Sequence, residues 1–205
     1  MGKFPAESNN PRTGFALIEL LVVITIISVL TAIMSPVLIR VKVHGRVARV
    51  QVELQGIQRA LEMYRDDWND YPLAVMYSEK EKQDDYLEVP PPLYKLHYIG
   101  AYRIYDPFNP GHTYKYIAPG FGWKDGKLSP FCMNVPMCGE GAEGCTSYSS
   151  RDTCPLKWAI WSVGPAGNID ISEHERRNLP VPRLEWFPYK DNGVIVRLSN
   201  GRISP

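Results

Sequence analysis

The sequence predicts an α+β protein: a long N-terminal α-helix, membrane-spanning in its first half and amphipathic in its second, packed on a small antiparallel β-sheet head. Three observations predict it. Residues 15–38 are apolar apart from a few hydroxyl residues and Glu19. Beyond them, Val47, Val50, Leu54, Ile57, Leu61, Tyr64 and Trp68 recur at steps of three and four, one face of an α-helix. After Pro72, short β-prone runs alternate with turn signals.

The apolar run exceeds the roughly 20 residues that cross a hydrocarbon core of about 30 Å. A cleaved secretory signal would have an apolar core of about 7–15 residues and an A-x-A-like site, which this run lacks. An uncleaved signal anchor fits the length and the leader's Lys3 and Arg12, but gives no reason for Glu19. An ionisable group in a membrane segment is costly unless paired. Cleavage between Gly14 and Phe15 would supply a partner, because Phe15 would then carry a new cationic α-amino group.

Gly14-Phe15-Ala16-Leu17-Ile18-Glu19-Leu20 resembles the cleavage and methylation motif of type IV prepilins and type II secretion pseudopilins. Ala16 stands where a hydroxyl residue is often found. The resemblance implies cleavage after Gly14 by a prepilin peptidase, N-methylation of Phe15, and pairing of Glu19 with the amino terminus of a neighbouring subunit. Such a pair would set the axial register of helices that otherwise touch only through apolar surface.

The expected organisation is a leader at 1–14, a transmembrane and filament-core helix at 15–38, an amphipathic continuation at 39–70, and an exported head at 71–205. Pro36 removes one backbone hydrogen bond and is expected to kink the helix. Gly45 and Gly56 weaken it locally. The whole spine would measure about 80 Å. It must stop by Tyr71-Pro72, since proline pushes the preceding residue out of helical geometry.

Residues 73–92 read as a charged loop, with Pro90-Pro91-Pro92 as a stiff polyproline II connector. Residues 113–118 and Leu156–Val163 read as strands. Val194–Leu198 is expected to pair with the last few residues across an Asn200-Gly201 turn. The tyrosines from Tyr94 to Tyr116 suit a core and sheet better than a base-stacking platform, given a formal net charge of +1.

Cys132, Cys138, Cys145 and Cys154 are the only cysteines. In an oxidising compartment they read as two disulfides of open connectivity, and no spacing among them is the C-x2–4-C of structural zinc sites.

The segments Ser162-Val163-Gly164-Pro165 and Tyr189-Lys190-Asp191-Asn192-Gly193 resemble parts of major-pseudopilin heads, which fold around calcium. That resemblance implies oxygen donors near Asn168, Asp170, Glu173 and Asp191, although Ala166 replaces an acidic residue often found in related heads. No other cofactor is expected.

No nucleophile elbow, phosphate loop or H-E-x-x-H occurs, so the chain is expected to be non-catalytic. The function implied is that of a structural subunit of a secretion pseudopilus or related filament. It would sit once through the bacterial inner membrane, with its head in the periplasm. Its partners would be the peptidase, other copies and other pilin-like subunits, with no nucleic acid. The alternative is a periplasmic binding or enzymatic domain on an uncleaved anchor.

Overall fold

Helix α1 runs from Leu17 to Trp68 and continues through Pro36 without interruption. It ends where Asn69 turns into the left-handed region at φ 55°. Asparagine tolerates that conformation better than most residues, and Pro72 follows to prevent further helix. The computed structural model describes residues 17–79, 84–100, 103–136, 145–166, 186–187 and 190–200. The chain divides into two units, Met1–Lys42 and Val43–Pro205.

In the first unit every described side chain of α1 is exposed. In the second unit α1 buries Val47, Val50, Leu54, Ile57, Ala60 and Leu61. These are the first five positions of the stripe expected from the spacing, with Ala60 added; Tyr64 is half-buried and Trp68 is 59% exposed. Val52 and Met63, which fall off the stripe, are exposed. Each fully buried Leu or Ile contributes about 1.5–3 kcal/mol, so the stripe binds this part of α1 to the head.

The other elements are β1 (Ala74–Glu79), β2 (Asp84–Glu88), α2 (Pro91–Lys95), β3 (Lys115–Ile117), β4 (Gly120–Lys124), β5 (Lys127–Phe131), β6 (Met133–Pro136), β7 (Cys145–Tyr148), β8 (Ala159–Ser162) and β9 (Ile195–Leu198). Among the described residues these strands form three sheets, ordered β2-β1-β4-β5, β3-β8-β9 and β6-β7. The architecture is α+β as expected, with one addition: β1 pairs with β4 in parallel. Among the described residues the other strand ladders are antiparallel.

The expected loop at 73–92 is corrected. Its two ends form the β1–β2 hairpin, in register from Val75 opposite Glu88 to Glu79 opposite Asp84. The proline run is corrected too. Pro90 keeps an extended ψ of 130°, but Pro91 and Pro92 open helix α2. A proline fits there because the first turn has no use for its missing N–H.

Strand β8 is buried at all four positions and lies between β3 and β9. The run Leu156–Val163 therefore contains the central strand of this sheet. The expected partner of β9, the chain's last residues, lies outside the described residues; its observed partner is β8. Tyr114, Tyr116, Trp158 and Trp161 are fully buried, which places these aromatics in the core. Both indole N–H groups lack an acceptor among the described residues. Each costs about 1–3 kcal/mol, offset by the large ring area removed from water.

Candidate processing and assembly site

The described part of the site is the first stretch of α1. The helix is long and apolar enough to cross a membrane, and its most apolar window is wholly unburied within the protein. The hydroxyls of Thr25, Ser28 and Thr31 donate to the carbonyls of Val22, Ile24 and Ile27 at 2.6–2.7 Å. Those polar groups are thus satisfied inside the helix, as a hydrocarbon environment demands. Between Leu17 and Leu38 this leaves Glu19 as the single charged residue. It sits in the first turn of α1, where the helix dipole favours a negative group. Gly14 and Phe15 lie outside the described residues.

The second half of α1 is fastened to the head by side-chain bonds. The buried Tyr114 hydroxyl donates to the Glu53 carboxylate, which also pairs with Arg49 at 2.7 Å. Burial, then the Glu53 charge, pushes the Tyr114 phenol far above its ordinary value. Arg197 donates to Gln58. At the end of α1, Arg151 reaches the carbonyls of Tyr71 at 2.8 Å and Pro119 at 3.1 Å and pairs with Asp70. The Tyr116 hydroxyl donates to the Pro72 carbonyl at 2.8 Å.

Asp106 makes a second internal junction. Its carboxylate accepts from the Ser162 hydroxyl at 2.8 Å, the Val163 N–H at 3.0 Å and the Phe108 N–H at 2.9 Å. Burial raises its pKa above the ordinary value, and these three donors with the Lys115 charge oppose the rise without cancelling it. Asp106 carried no site signal in the sequence, because Ser162 and Val163 lie 56 and 57 residues later. Arg151 carried no signal, because its partners Tyr71 and Pro119 lie 80 and 32 residues earlier.

The cysteine expectation meets a partial answer. Exposed Cys132 and buried Cys154 are free thiols, so no disulfide joins them. Cys138 and the Cys145 side chain lie outside the described residues. The same holds for the calcium candidates Asn168, Asp170 and Glu173, whereas Asp191 occupies an exposed turn. Among the described residues no group of three or more His, Cys, Asp or Glu is placed to hold a metal.

A short N-terminal signature with its acid one turn into an apolar helix is the feature that comparison with known families tests. Residues 9–35 match the prokaryotic N-terminal methylation motif. The methylation motif spans Gly14, Phe15, Glu19 and most of the apolar run, and supports a type IV pilin-like protein. It implies pilin-type processing and assembly of subunits into a filament. With the exposed apolar helix, it is consistent with a single-pass, membrane-anchored chain. No curated protein and no solved structure matches the chain.

Proposed function

We propose that this chain is a structural subunit of a type II secretion pseudopilus or a related type IV pilus-like filament of the bacterial inner membrane. A prepilin peptidase removes residues 1–14, Phe15 becomes the N-methylated terminus, and the head is carried in the periplasm. The chain performs no catalysis of its own. The observation that carries this reading is Glu19, the one charged residue between Leu17 and Leu38 of the apolar part of α1, inside the methylation motif.

In an apolar bundle, Glu19 of one copy meets the Phe15 ammonium of the next. Breaking a buried pair of this kind costs about 3–5 kcal/mol, enough to select one axial offset among many nearly equal ones. Intact-mass measurement on the protein from its native host tests the processing: loss of residues 1–14 and gain of one methyl group are expected. Glu19→Ala is expected to insert and be cleaved normally yet fail to assemble. Retention of the first fourteen residues would leave a tethered periplasmic domain instead.

A further inference from the structure

We infer that Arg40, Lys42 and Arg46 form a cationic collar on α1 that binds the head groups of anionic phospholipids. The inference rests on the membrane-anchored reading of α1 and not on filament assembly. From Leu17, where α1 begins, no cation occurs until Arg40, a rise of about 33 Å to Ile39. That matches a hydrocarbon core of about 30 Å, so Arg40 emerges at the polar boundary. Arg40, Lys42 and Arg46 are all exposed. They occupy about 9 Å of helix axis, which their long stems bring within reach of one head-group layer.

The occupant follows from charge and from its distribution around the helix. No Asp or Glu lies between Glu19 and Glu53, and Glu53 is engaged by Arg49 at 2.7 Å and by Tyr114. Arg40, Lys42 and Arg46 have no carboxylate partner among the described residues, so their counter-charge comes from outside the chain. Residues two apart on a helix do not share a face, and Arg40 and Lys42 point about 160° apart. Arg46, four residues after Lys42, shares its side. A protein partner meets one side of a helix, whereas a head-group layer surrounds it and reaches both. The balance of charge across the span points the same way. Lys3 and Arg12 precede the apolar run, but Arg40, Lys42, Arg46 and Arg49 follow it. Basic residues favour the cytoplasmic side, so this excess opposes an inward leader unless an anionic surface on the far side offsets it. A phosphodiester head group offers a guanidinium two oxygens and an ammonium a point counter-charge.

The test places the full chain in phosphatidylcholine vesicles carrying a trace of spin-labelled phosphatidylglycerol or spin-labelled phosphatidylcholine. Electron paramagnetic resonance reads how much of each label is held at the protein boundary. Wild type is expected to prefer the phosphatidylglycerol label about threefold or more, a preference lost on raising the salt. Arg40→Gln, Lys42→Gln and Arg46→Gln in one chain should reduce it to about 1.5-fold or less, with vesicle flotation and helical circular dichroism unchanged. Arg40→Lys with Arg46→Lys should retain most of it, which separates charge from packing. Lys3→Gln with Arg12→Gln should retain most of it too, which assigns the preference to this end of the span. No preference in wild type, or an unchanged one in the triple variant, overturns the inference. Loss of cross-linked dimers in the triple variant with the lipid preference intact would assign the cations to a neighbouring chain and overturn it equally. Failure of wild type to float with the vesicles overturns the membrane-anchored reading as well. Glu19→Ala is expected to keep the preference, so the filament reading stands or falls separately.

Discussion

Arg151 donates to the backbone carbonyl of Tyr71 at 2.8 Å, joining the segment between β7 and β8 to the residue where α1 has just ended. The same guanidinium reaches Pro119 and the carboxylate of Asp70. One planar group thus satisfies two chain segments that have left regular structure, and a flexible ammonium cannot reproduce that geometry.

Arg151→Ala is therefore expected to destabilise the head by about 2–3 kcal/mol, mostly through carbonyls left without donors. Arg151→Lys should recover less than half of the loss. Chemical denaturation of the full chain in detergent, followed by tryptophan fluorescence, measures both.

Gly164 has φ 74°, and a Cβ on it would fall 1.9 Å from the Gly193 carbonyl oxygen. Gly164→Ala should cost about 3 kcal/mol or more, combining backbone strain with a forced separation of the two segments. A large fall in melting temperature is the expected result.

Gly56 is the opposite case, since nothing lies within 4 Å of the added atom. Gly56→Ala should stabilise the dissociated chain by about 0.5–1 kcal/mol, from helix propensity alone. The same denaturation assay reads it.

Asp106 predicts a pH dependence. Its carboxyl pKa is raised above the ordinary 3.8, chiefly by burial. A raised folded-state pKa means that the folded chain holds this proton more tightly than the unfolded one. The group's contribution is therefore complete below the ordinary value and declines as pH rises through the raised one. The stability of wild type relative to Asp106→Asn should accordingly shrink as pH rises from about 3 towards neutrality. Paired denaturation curves across that range check the sign.

What the sequence made legible was local. The stripe from Val47 to Leu61 repeats every three or four residues, and Asn69 to Pro72 carries its own stop signal. The apolar run around Trp158 and Trp161 marks the central strand, and Glu19 is conspicuous by its setting. The β1–β2 pairing was hidden because Glu79 to Asp85 reads as solvated loop, although Glu79, Asp84 and Asp85 are strand residues. Pairings set by distant partners left no trace: β1 against β4, Arg151 against Tyr71, and Asp106 against Ser162.

The parallel pairing of β1 with β4 has a consequence for biogenesis. As the polypeptide is made from its N-terminus, β1 and β2 can zip together at once, but the other margin of β1 waits for some forty further residues. Until β4 arrives, that margin presents bare amides and carbonyls, the surface that rogue strands and proteases exploit. Folding of this head thus has a vulnerable interval built into its chain order, and a pause in elongation within that interval would be more damaging than one after it.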